Sequence, residues 1–219
     1  TEVDPNYARA FAWKTCSLAN NSEWFADDMP DGWMEDAFSS INRAMEIDPD
    51  DPEAHRILGA MKLLFEGDME KAIFHHKKAI EICPSDTFHL ARYSVLLSYL
   101  GKPEDAMEQI NKALRINPFG SDLMFETKGV CAYLLEDYEA AISTFKNMQI
   151  ETRVSLFYSA ACYNHLGKTE LAKDRLGLAK NESGMDIDKF VATQLYQSDE
   201  ISSKLKSNLS SIEEGLMLS

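Results

Sequence analysis

Four of the five histidines fall close together in the chain: His55, His75, His76 and His89. Imidazole is a common metal ligand and a proton acceptor near neutral pH, so this cluster is the first place to look for chemistry. No group of Cys, Asp or Glu completes it at a metal-binding spacing. The four therefore read as packing or surface histidines, with no metal or cofactor. The acidic stretch Asp27-Asp28-Met29-Pro30-Asp31-Gly32 hints at calcium. It lacks the alternating oxygen ligands and closing glutamate of the known calcium loop, so it reads as a solvated connection. Cys16, Cys83, Cys131 and Cys162 have neither zinc-finger nor redox spacing and read as reduced thiols on helices. No phosphate-cradling glycine loop or nucleophile elbow is present. No carboxylate is singled out as an acid or base, so the chain reads as a non-enzyme.

The order that would position these residues is a repeat. Ala72-Ile73, Ala79-Ile80 and Pro84 return as Ala106-Met107, Ala113-Leu114 and Pro118, with the same offset each time. A fixed period, here about 34 residues, is the mark of a stacked solenoid. Within one period, Leu90, Tyr93 and Leu97 form one apolar stripe at helical spacing. Gly101-Lys102-Pro103 breaks that helix, and Pro103 suits the first turn of the next. Ala106, Ile110 and Ala113 make the second stripe, where small side chains let two helix backbones approach closely. Asn117-Pro118 ends the unit, because the residue before a proline is driven out of helical geometry. Such a hairpin of helices buries its apolar face only against neighbours.

Leu58-Gly59, Ala72, Ala79 and Pro84, then Ala106, Ile110, Ala113 and Pro118, resemble the tetratricopeptide-repeat signature. The resemblance implies an all-α fold, a tetratricopeptide-repeat superhelix of stacked antiparallel helix pairs with C-terminal capping helices. The pairs fall at 1–51, 52–86, 87–121, 122–152 and 153–182, with the capping helices at 183–219. In the first pair, a loop from Asn21 to Gly32 replaces the usual short turn and leads into a helix at Trp33–Ile47. The step from Ala141 to Ala172, between the last two pairs, is shorter than the period, which predicts an irregularity at 149–153. Beyond the repeats, helices are expected at Ile187–Tyr196 and Glu200–Leu216, the latter with Ile201, Leu205, Leu209, Ile212 and Leu216 on one seam. That seam suits a cap on the open end of the solenoid or a contact with a second chain, hence a possible homodimer.

By the same resemblance, the first helix of each pair lines a concave face that holds a protein or peptide partner. The residues carried over to it are Arg56, Leu63, Val95, Tyr99, Glu126, Val130, Tyr133 and Phe157. An apolar, aromatic face suits an apolar peptide or helix. It is equally open to cover by the chain's own terminal segments. Relatives that clamp a chaperone's carboxylate tail need Lys and Asn on this face. Here Arg56 is the one basic residue at the first position, and Ala60, Val95, Val130 and Ala161 fill the second.

The formal charge of −14, from 36 acidic and 22 basic residues, disfavours nucleic acid, whose backbone is bound by Lys and Arg. No apolar run reaches the ~20 residues of a membrane span. The acidic, tryptophan-containing loop, DPDDPEAHRILG, and LLEDYEAAISTF together resemble the C-terminal repeat region of bacterial class III adenylate cyclase-like proteins. That resemblance implies a regulatory or scaffolding module of a larger signalling protein, with any cyclase activity upstream of Thr1. Its partner would be another protein or its own upstream domain, in the cytoplasm; a periplasmic site stays open if a span precedes Thr1. The alternatives are a structural self-association module and the repeat region of a winged-helix transcriptional regulator.

Overall fold

A computed structural model describes residues 4–24 and 29–217. Among these residues there are twelve helices. They are α1 (Ala8–Trp24), α2 (Trp33–Ile47), α3 (Pro52–Glu66), α4 (Met69–Ile82), α5 (Thr87–Tyr99), α6 (Pro103–Ile116), α7 (Asp122–Leu134), α8 (Tyr138–Phe145), α9 (Arg153–His165), α10 (Thr169–Ser183), α11 (Ile187–Thr193) and α12 (Asp199–Met217). Two differences from the sequence reading concern boundaries. The first helix runs on to Trp24 rather than ending before Asn21, and α11 stops at Thr193, short of Tyr196. Phe25, Asp27 and Asp28 of the expected acidic loop, and the side chain of Leu216, lie outside the described residues.

Local chemistry sets the helix starts. Asp51, Asp68, Asp137 and Asp186 each accept a hydrogen bond from a first-turn backbone N–H of α3, α4, α8 and α11. Such a cap satisfies a donor that has no partner within the helix. Thr152 and Ser155 form a reciprocal capping box on α9, and Pro52 and Pro103 occupy first-turn positions. Turns between paired helices are made by Gly67, Gly101 and Gly167 at positive φ, a region open to glycine at little cost. In the α7–α8 turn, Glu136 holds the same conformation (φ 61°) with a side chain.

The alanines that carry the repeat, among them Ala37, Ala72, Ala106, Ala141 and Ala172, are completely buried. Close helix approach also explains Gly129, since a methyl group there would overlap the Phe145 ring. At the expected irregularity, α8 ends at Phe145 after only two turns. The connection to α9 is held by the Asp122 carboxylate, which accepts from Gln149 N at 2.7 Å and Ile150 N at 3.1 Å.

Two compact units make up the chain, one up to Tyr93 and the other from Ser94. In the first, Ala12, Ile41, Ile57, Leu58 and Met61 form a core between α1, α2 and α3. In the second, the core runs through α7–α10 and takes in the tail: Ile187, Phe190, Leu205, Leu209 and Ile212 are all buried. Burying a large apolar side chain is worth about 1.5–3 kcal/mol, and ordering the residues that carry it offsets part of that. The tail therefore packs onto the second unit through an apolar seam.

Candidate functional site

In the first unit, the faces of α1 and α3 and the start of α5 border a hollow of about 480 Å³, lined by Arg9, Trp13, Glu53, Asp86, Phe88 and His89 among others. Trp13 is half exposed there. Beneath it lies a buried charge cluster. Arg56 donates from Nε to Glu53 Oε2 at 3.0 Å and from Nη2 to Oε1 at 2.6 Å. His89 Nε2 lies 2.9 Å from Glu53 Oε2. Burial alone would raise the Glu53 pKa, but the hydrogen bonds from His89 and Arg56 overcome it and hold the carboxyl down at about 2. A carboxylate accepts only, so His89 Nε2 carries a hydrogen. The guanidinium groups of Arg56 and Arg92 lie 4.9 and 5.1 Å from the centre of the Phe88 ring, close enough for cation–π attraction.

The other histidines behave as packing groups. His55 Nε2 faces the Pro49 carbonyl at 2.9 Å, so that nitrogen donates. The Nδ1 atoms of His55 and His75 share a hydrogen bond at 2.9 Å. Burial, then the neighbouring His55, Lys62 and Lys71, lower His75 to about 4. His76, stacked on Tyr93 with ring centres 6.2 Å apart, is lowered by burial to about 3. Among the described residues no group of three or more His, Cys, Asp or Glu side chains is arranged to hold a metal ion. Cys131 and Cys162 are buried, whereas Cys16 and Cys83 are half-buried.

The second unit presents a different face. Tyr133 packs edge-on against Tyr158, ring centres 5.0 Å apart. Phe157 is fully buried and stacks on Phe190 of α11 at 3.9 Å. Tyr99 meets Tyr196 edge-on at 5.5 Å, and its carbonyl accepts from Gln197 N at 2.9 Å. The Tyr158 and Tyr196 hydroxyls lie 2.5 Å apart. On α12, Asn208 Nδ2 donates to the Ala161 carbonyl at 3.1 Å, and Asn164 Nδ2 donates to Asn208 Oδ1 at 2.7 Å. The tail thus caps the last helix pair and also reaches back over α7 to the end of α5.

Of the eight residues carried over from the family, Arg56, Leu63, Tyr133 and Phe157 are buried, and Val95, Tyr99, Glu126 and Val130 are half-buried. Val95, Tyr99, Glu126 and Val130 share a small hollow of about 60 Å³ with Gln194 of the tail. Glu126 accepts a hydrogen bond from the Thr152 hydroxyl. Arg56 and Leu63 belong to the first unit. Sequence reasoning passed over Arg9, Trp13 and Phe190. Trp13 lies off the apolar seam of its helix, and Phe190 lies outside the repeat, so neither carried a periodic signal.

Residues 90–119 match the family model described as tetratricopeptide repeat. The SGT1 homolog of Bos taurus is 33% identical over 86 residues, which cover 39% of this chain and 25% of that protein. The chain therefore spans about a quarter of the curated relative it matches. The solved structure of Pseudomonas aeruginosa pilF aligns with a TM-score of 0.66 at 16% identity, covering 95% of this chain and 90% of its own. A thermophilic TPR protein from Thermus thermophilus aligns with a TM-score of 0.61 at 21% identity, covering 82% and 96%. At these identities the two structures speak for fold. The chain thus carries a matched tetratricopeptide repeat and has an all-α tetratricopeptide-repeat fold.

Proposed function

We propose that this chain is a non-enzymatic protein–protein interaction module that takes a protein or peptide partner on the first-helix faces of its pairs. We place it in a larger bacterial adenylate cyclase-like signalling protein, as a regulatory or scaffolding region in the cytoplasm. Tetratricopeptide-repeat proteins bind protein or peptide partners. Among the described residues no helix is long and apolar enough to cross a membrane. The observation that carries the reading is the hollow of the first unit, where the exposed Trp13 and the Phe88 ring stand beside charged groups. An indole next to paired charges is the composition of an interface anchor.

The first step of the test is the mass and N-terminal sequence of the intact native protein, which identify what precedes Thr1. The upstream domain so found is then titrated against this chain and its Trp13→Glu variant. The expected result is saturable binding that weakens at least about tenfold in the variant. Equal affinity for both, or no binding to either, overturns the reading.

A further inference from the structure

We infer that α11–α12 is a built-in competitor on the first-helix face of the second unit, and that this face takes an amphipathic helix from a partner when the tail lifts. The inference rests on the reading of first-helix faces as partner surfaces, and it adds the occupant and its regulation. The occupant's chemistry is legible because one such helix is already seated. Its buried residues are Leu205, Leu209 and Ile212, at positions i, i+4 and i+7. Asn208, at i+3, is bound to the Ala161 carbonyl and the Asn164 amide. A partner helix with that seam and that asparagine meets the same groups.

Three features make the seat exchangeable. The residues linking α11 to α12, 194–198, form no helix. Gly184, at positive φ, ends α10 just before the tail begins. Beside α12, a hollow of about 840 Å³ lies between it and Tyr133, Glu136, Tyr138 and His165, so that flank of the helix is not packed against the face. The outward ion pairs Lys204–Glu200 and Lys206–Asp188 join tail residues to each other; the exception is Glu213, which pairs with Lys180 of α10 at 2.5 Å. When the tail holds the face closed for most of the time, a competitor's apparent affinity falls by the fraction of time the face is open.

The test uses the full chain and a labelled peptide of residues 187–217 as the probe. The peptide is titrated into the wild-type chain and into the Leu209→Ala and Asn208→Ala variants, which weaken the tail and leave the face unchanged. The expected result is binding to Leu209→Ala at least about tenfold tighter than to wild type, with Asn208→Ala between them. A peptide carrying Asp at 205, 209 and 212 should not bind. Equal affinity for all three chains overturns the inference. So does absence of binding when hydrogen exchange shows α12 opened in the variants. If Leu209→Ala loses helicity, Asn208→Ala alone decides by the same criteria. Trp13→Glu should leave peptide binding unchanged, so failure at the first unit and failure here are told apart.

Discussion

The two units solve the same packing problem with contrasting first-helix faces. In the first, the face is open and polar: Arg9, Glu53, Asp86 and His89 border a hollow beside a half-exposed tryptophan. In the second, the face is aromatic and covered, with Phe157 under Phe190 and Tyr99 against Tyr196. The repeat dictates the buried alanines and apolar seams of both units. It leaves the first-helix face free to vary, and there the chain put ion pairs in one unit and a site for its own tail in the other.

The largest expected effect tests how deep that contrast runs. Phe157→Ala removes a fully buried ring and should cost about 3–5 kcal/mol. Trp13→Ala, at a half-exposed site, should cost about 0.5 kcal/mol or less. Urea midpoints followed by circular dichroism check both, and equal costs would erase the distinction between covered and open faces. Arg56→Met should also destabilise, by about 1–3 kcal/mol, because it removes both Arg56 hydrogen bonds to the buried Glu53 carboxylate and leaves His89 to hold it. Glu53→Leu with Arg56→Met should recover part of that loss, since the buried carboxylate is then gone while the His89 Nε2–H loses its acceptor. A double variant as unstable as the single one would mean that packing, not charge, holds this cluster. Gly129→Ala should cost about 1–3 kcal/mol by driving a methyl into Phe145, seen as a lowered melting temperature with no loss of helicity.

The units should also part company with pH. In the first, burial holds His75 at about 4 and His76 at about 3. Their unfolded counterparts take up protons near 6.5, so the unfolded state binds more protons below that pH. The stability is complete above about pH 6.5 and is lost as pH falls toward 4 and 3. In the second, burial raises Cys162 to about 12 and pushes up Cys131, Tyr133, Tyr158 and Tyr196. There the folded state keeps protons that the unfolded state releases from about pH 8.5–10, so stability falls as pH rises. All three tryptophans precede Tyr93, so their emission reports the first unit, while circular dichroism reports both. On acidification the emission change should come first; coincident acid transitions would refute the assignment.

Most of the architecture was legible from punctuation. Gly101-Lys102-Pro103 and Asn117-Pro118 mark breaks, and α2 runs from Trp33 to Ile47 as expected. The long reach of the tail was not legible. Phe190 meets Phe157 from beyond α10, and Asn208 meets Asn164 from farther still. Nothing in a local pattern links them. The face itself was half legible: the family's positions pointed to Tyr133 and Phe157, but composition cannot say whether aromatics wait for a partner or already touch one. Arg56 reads from the family's positions as a partner-facing residue of the concave face, and only the fold shows it buried against Glu53, whose carboxylate also meets His89.

The order of the chain gives the tail a place in time. Phe157 is synthesised before Phe190, and the α9 face well ahead of α12. At roughly 5–20 residues per second, the face of the second unit stands without its cover for roughly two to seven seconds of each chain's birth. In that interval an aromatic surface meets whatever helix is nearest. A partner made beside this chain has its easiest entry then, before the tail arrives to compete.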